Sequence, residues 1–242
     1  MATGFTTPLV HSPRSAQSPY PYRSGIGIVP SAEWNVFHDN FNTLISTNVP
    51  AGWTAAVIDT GATVVADTTV THPSGGLLFD SDGTTEGSSI YLPKTAVLIA
   101  GKKTLIEMKF KTEAADDTDV QFGLSDLTAT TNPEDLWTTT AANVLAFGVL
   151  DGSAVTKVLA DKANAGTAAA AGTISLVTNT WHTLAILYDG SVVKCYVDGQ
   201  LSVTTSTTIP SGVLLAPFIG FRNGSTADNE GYCSWFRIIQ EQ

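Results

Sequence analysis

The sequence predicts an all-β protein built as an antiparallel two-sheet sandwich, and three observations predict it. Short apolar runs recur along the chain with Gly, Asp and Asn between them, at a spacing of roughly ten residues that suits strands joined by turns. Only 14% of the 242 residues are charged while 43% are hydrophobic, and Thr, Ser, Gly and Ala fill positions that Lys and Glu take in helical chains. The segment Trp181 to Gly199, WHTLAILYDGSVVKCYVDG, reads as two long strands meeting at Asp189-Gly190, with a second Asp-Gly turn at Asp198-Gly199. A chain of this length and apolar content can bury one sizeable core, so one main domain is expected.

Residues 1–33 are set apart as an extended arm. Five of the eleven prolines lie there, Pro8, Pro13, Pro19, Pro21 and Pro30, with Ser and Thr between them, a composition that favours extended chain with few internal hydrogen bonds. Its charged residues are Arg14, Arg23 and Glu33, a net +1, which leaves 10 basic and 21 acidic residues, −11, for positions 34–242. Phe5, Tyr20 and Tyr22 supply aromatic contact area that a spacer does not need. Phe5, Arg14, Tyr20, Tyr22 and Arg23 are therefore the candidate partner-binding residues, ordering against a neighbouring subunit or a large assembly. A plain floppy terminus is the other reading.

Residues 34–242 form the sandwich domain. Short strands are expected at 35–41, 53–58, 63–66, 76–79 and 88–92. In 104–112, Ile106, Met108 and Phe110 face one way and Glu107, Lys109 and Lys111 the other, so this strand has one wet face on which Glu107 partners the lysines. Val120, Phe122 and Leu124 repeat the pattern after the acidic Asp116-Asp117 tip, and the two strands are expected to pair around it. Residues 144–150 and 155–160 make a hairpin turning at Asp151-Gly152. The AAAA stretch within 163–172 is broken by Gly166, Gly172 and threonines, which suggests a loop or irregular strand. Residues 173–177 lead into the 181–199 hairpin. Residues 213–221 are apolar on both faces, a central strand covered on both sides, and 232–239 close the chain.

Several function classes are disfavoured. The formal net charge of −10 argues against nucleic acid, whose affinity comes largely from Lys and Arg. No apolar run reaches bilayer length, and the N-terminus lacks a signal-peptide pattern, so a soluble protein made in a cytosol is expected. Cys195 and Cys233 lie in strand-like segments without CxxC spacing and read as free thiols. His11, His38, His72 and His182 lack metal-ligand spacing, and neither a Gly-x-Ser-x-Gly elbow nor a phosphate loop occurs. Asp80 and Asp82 in FDSDG, with Asn223, Asp228 and Asn229, read as turn formers, so no metal and no cofactor is assigned.

The pattern Trp181, Leu184, Ile186, Tyr188, Asp189-Gly190, Val193 and Tyr196-Val197-Asp198-Gly199 resembles the late hairpin of the concanavalin A-like, laminin-G-like jelly roll, over about residues 34–242. The run Asp119-Val120-Gln121-Phe122-Gly123-Leu124-Ser125 and the ending Phe236-Arg237-Ile238-Ile239-Gln240-Glu241 are similar to jelly-roll proteins encoded among the head genes of tailed bacteriophages, which decorate the capsid. The resemblance implies a two-sheet jelly-roll sandwich and a non-enzymatic virion structural protein, a capsid decoration or cement protein. Its implied partners are the major capsid protein and itself, as a homotrimer on local threefold axes, on a virion surface after synthesis in the host cytoplasm.

Members of that family that hydrolyse glycans carry a Glu-x-Asp-x-x-Glu run, because hydrolysis needs two carboxylates at a fixed separation. No such run occurs here; the glutamates are scattered singly, so no catalytic residue is assigned. The alternative is a carbohydrate-binding, lectin-like module that attaches to a surface glycan. Of Trp34, Trp53, Trp137, Trp181 and Trp235, most belong in the core. Trp137 follows Asn132-Pro133-Glu134-Asp135 in a loop-like segment and is the candidate glycan or partner contact.

Overall fold

Alternating apolar residues sort the strands into two antiparallel sheets that face one another. The computed structural model describes residues 34–41, 50, 52–57, 62–66, 76–81, 87–126, 143–163, 168–224 and 228–241. The strands are β1 (Trp34–Asp39), β2 (Thr54–Val57), β3 (Thr63–Ala66), β4 (Leu77–Asp80), β5 (Gly87–Tyr91), β6 (Ala96–Val97), β7 (Thr104–Thr112) and β8 (Thr118–Ser125). They continue as β9 (Asn143–Leu150), β10 (Ser153–Lys162), β11 (Ala168–Ser175), β12 (His182–Tyr188), β13 (Val193–Val197), β14 (Gln200–Thr205), β15 (Leu214–Asn223) and β16 (Gly231–Glu241). No helix occurs among the described residues.

The first sheet runs β14-β13-β12-β7-β16-β4-β3, with β1 also on β16. The second runs β11-β10-β9-β8-β15-β5-β2, with β6 also on β15. The last strand organises the first sheet. One edge of β16 pairs with β7 from Gly231 to Gln240. Its other edge is shared, Gly231–Cys233 with β4 and Phe236–Glu241 with β1.

The inward faces carry the expected alternation. Ile106, Met108 and Phe110 of β7 meet Val120, Phe122 and Leu124 of β8 in one core cluster with Leu145, Phe147 and Phe221. Phe79, Phe110 and Phe221 bridge the sheets, with ring centroids 6.1 to 6.4 Å apart; each buried aromatic of this kind contributes about 1.5–3 kcal/mol. One edge of the sandwich is closed by hydroxyls. Thr156 of β10 and Ser202 of β14 lie 2.7 Å apart, and the Ser202 hydroxyl also accepts the N–H of Thr173 and of Ile174 in β11.

The 181–199 hairpin forms as read, as β12 and β13. Its first turn is wider than two residues. The Asp189 carboxylate accepts the N–H groups of Ser191 and Val192, and Lys194 pairs with it at 3.2 Å. Burial pushes this carboxyl's pKa up, but those N–H groups and the Lys194 ammonium outweigh burial and hold it below its ordinary value. The second turn, Asp198-Gly199, has φ of 50° and 87°, which suits the primed turn of a two-residue hairpin and leads into β14. β15 lies between β8 and β5, as its apolar character on both faces requires.

Two expectations are corrected and a third is narrowed. β7 and β8 do not pair; they lie in different sheets, and residues 113–117 carry the chain across. A hairpin with β7 would leave Asp119, Gln121 and Ser125 wet, whereas every residue of β8 is buried between β9 and β15. Of the two readings of the alanine stretch, loop or irregular strand, the second holds: Ala168–Ala171 pair with β10, the register shifts just beyond them between Lys157 and Val155, and Gly172 there admits Ser202 and Thr156. Glu107 does not partner Lys109 and Lys111. It is fully buried and forms an ion pair with Arg237, its neighbour across β16.

Cutting one side of a buried ion pair leaves an uncompensated charge. Glu107→Leu is therefore expected to cost about 3–5 kcal/mol, and the double change Glu107→Leu/Arg237→Met to restore most of that loss. Urea unfolding of the three proteins checks this.

Candidate functional site

The middle of the second sheet is built by TDVQFGLS of β8. Alternation sends Val120, Phe122 and Leu124 inward, so Asp119, Gln121, Gly123 and Ser125 face outward. In register with Gln121 stand Gly148 on β9 and Gly220 on β15. Gln121 therefore has no side chain beside it on either neighbouring strand.

β8 and β9 pack too closely for anything larger. A Cβ on Gly148 would lie 1.7 Å from the Val120 carbonyl oxygen, and one on Gly123, whose φ is 152°, would lie 2.0 Å from that of Leu145. Beside this glycine floor lies an outward apolar cluster of Val144, Ala146, Leu159 and Phe218, with Tyr91 packed against it.

Asp119 marks the opposite side. Its Oδ2 accepts from Arg222 Nη1 at 3.2 Å, and its Oδ1 accepts the N–H of Asp151 at 2.8 Å. Asp119 and Arg222 are both buried, so this carboxylate is committed to holding β8, β15 and the β9–β10 turn together. Gln121 differs. It is fully buried, and neither Nε2 nor Oε1 has a hydrogen-bond partner among the described residues. An unmade hydrogen bond of this kind costs about 1–3 kcal/mol, which makes the amide a group suited to a ligand offering both a donor and an acceptor.

The carboxylates on the outward positions of β8, β9, β10 and β15 are Asp119, held by Arg222, and Asp161 of β10. The outward positions of β9 are Val144, Ala146, Gly148 and Leu150. These positions set polar groups beside an apolar and glycine floor, and Asp119, Gln121, Val144, Ala146, Leu159 and Phe218 are all buried.

The residues singled out by sequence are distributed elsewhere. Phe5, Arg14, Tyr20, Tyr22, Arg23 and Trp137 lie outside the described residues, as do His11, His72 and Asp82. Trp53 is buried with Phe41 and Phe236, but Trp181 and Trp235 are half-buried, and both associate with cations on the outward face of the first sheet. His182 sits at a core edge: Nδ1 lies 2.6 Å from Asp198 Oδ2 and Nε2 accepts the Val177 N–H at 2.9 Å, so the ring pins a turn. Asn229 donates to Asn223 at 3.0 Å, and no group of three metal-ligating side chains occurs among the described residues. Gln121 escaped notice because a glutamine in an alternating strand looks like a solvated outward residue. The signal that could have found it is its company, Gly123, Gly148 and Gly220.

The fold is a two-sheet antiparallel β-sandwich. The family described as the concanavalin A-like lectin/glucanases superfamily (Laminin_G_3) matches residues 83–240, more than half of the chain, and the protein belongs to it. No curated protein sequence matches the chain. Among solved structures it is similar to the carbohydrate recognition domain of Emp47p, at 11% identity and a TM-score of 0.55, covering 87% of this chain and 98% of that one. It is also similar to a Bacillus licheniformis β-glucanase, at 17% identity and a TM-score of 0.53, covering 84% and 97%. A third structure, from work on endo-acting O-glycanases of the human gut microbiota, has 11% identity and a TM-score of 0.57, covering 84% and 98%. At these identities the likeness is one of fold.

Both cysteines are buried, and burial pushes their thiols well above the ordinary range. The thiolate is the reactive form, so neither is expected to react with a thiol reagent at pH about 8 in the native protein. Both should react after unfolding in urea, which thiol titration in the two states measures.

Proposed function

We propose that this protein is a non-catalytic carbohydrate-binding module whose glycan lies on the outward face of the second sheet, over β8, β9 and β15. The observation that carries the reading is the Gln121 amide, fully buried with both its donor and its acceptor unused among the described residues. A sugar presents hydroxyls that both give and accept hydrogen bonds, together with apolar C–H faces that suit Phe218 and Tyr91. The family supports the ligand class, since its members include lectins. The non-catalytic part is supported by the engagement of Asp119 with Arg222, because glycoside hydrolysis needs two available carboxylates.

The test exploits opposite signs. Gln121→Leu removes an amide with no partner among the described residues, so stability should rise by about 1–3 kcal/mol, while binding to the strongest hit on an oligosaccharide array should weaken roughly tenfold or more. Unchanged binding in this variant removes the site from consideration. Trp137→Ala, on the same array, measures whether that residue contributes.

A second reading, decoration of a capsid, is favoured by the composition of residues 1–33, proline-rich, aromatic and opposite in net charge to the rest of the chain. Deleting residues 1–33 is then expected to abolish attachment to particles and self-association as a trimer. Attachment at full strength by the shortened protein counts against it.

A further inference from the structure

The outward face of the first sheet carries a different feature. Lys109 and Lys111 stand two residues apart on β7, so they share one face with a separation along the strand of roughly 6.8 Å. Lys109 Nζ lies 5.6 Å from the Trp181 ring centroid, and Lys111 Nζ lies 5.9 Å from the same ring and 3.9 Å from that of Tyr232. Trp181 and Tyr232 meet edge to face at 6.5 Å. The rings hold both ammonium groups in place and leave their N–H donors for another acceptor.

In a chain of 22 acidic and 12 basic residues, neither of these ammonium groups has a carboxylate at ion-pair distance among the described residues. The next outward position on β7 is Glu107, whose charge is cancelled by Arg237, so it does not repel an anion on the strip. At the other end Glu230 accepts the Tyr232 hydroxyl and bounds the strip.

We infer that Lys109, Lys111, Trp181 and Tyr232 form a docking strip for a partner protein that presents an extended acidic segment, with carboxylates on alternate residues. An extended chain places alternate side chains on one face at the same period as the two lysines, roughly 6.8 Å. Tryptophan and tyrosine beside cations are the residue types on which protein interfaces concentrate their affinity. A nucleic acid fits poorly, because its charges recur about every 1.7 Å of duplex axis and would run onto the acidic remainder of the surface. This surface is separate from the glycan face and independent of it.

The test is isothermal titration of the full chain with a short acetylated peptide alternating glutamate and threonine, with its glutamine counterpart and polygalacturonate as comparison ligands. The alternating acidic peptide should bind, lose affinity as salt is raised, and bind roughly tenfold or more weakly to Lys109→Gln/Lys111→Gln. The glutamine peptide should not bind, and Gln121→Leu should leave peptide affinity unchanged. Both lysines are half-buried on an outer face, so the double variant should keep its urea midpoint; if it does not, single Lys109→Gln takes its place. No binding by the unaltered protein, affinity independent of the lysines, or lysine-dependent binding of polygalacturonate in place of the peptide would each overturn the proposal.

Discussion

The close approach of β8 to β9 is the constraint on which the rest of the second sheet depends. Gly148 and Gly123 each point the space of a missing side chain into the neighbouring strand's carbonyl. Only glycine accommodates such contacts without pushing the strands apart. Because the strands stay together, β8 is held at the centre of the sheet, with Phe122 and Phe147 in contact at 6.2 Å on the inner side. On the outer side the same contact leaves Gln121 without a flanking side chain. Core packing and site geometry thus have one cause.

Each sheet also holds a buried acid paired with an arginine on its outward face, Asp119 with Arg222 and Glu107 with Arg237. Both pairs cross between strands distant in sequence, so they act on strand pairing more than on local structure. A one-residue slip would turn the members of either pair into the apolar core, at the cost of an unpaired buried charge. Buried pairs of this kind add little net stability compared with apolar replacements. Their value here is in fixing which strands meet and in what register, and the two outward faces keep their distinct chemistry as a result.

Much of the fold was legible because strand alternation is a local property. The 181–199 hairpin, the 144–160 hairpin and the doubly covered β15 all follow from spacing and turn residues, and the resemblance to the concanavalin A-like jelly roll rested on the first of these. Sheet membership was not legible: alternation in β7 and β8 is the same whether they pair or cross between sheets. The alanine stretch left loop and irregular strand open because Gly166, Gly172 and the threonines break its pattern, while an edge strand packed against Ser202 rewards small size. Trp181 looked like core, and its half-exposed position depends on Lys109 and Lys111, which are distant in sequence. Gln121 became distinctive only when strand pairing brought Gly148 and Gly220 to its sides.

The central claim is that the outward face of the second sheet receives a glycan through Gln121. The most direct measurement is NMR of the Gln121 side-chain amide while the strongest array oligosaccharide is titrated into the full chain. A shift of both amide protons, saturating with the binding curve and accompanied by shifts at Gly148 and Gly220, is the result predicted. Saturating shifts confined to residues elsewhere, with the Gln121 amide unmoved, would contradict it.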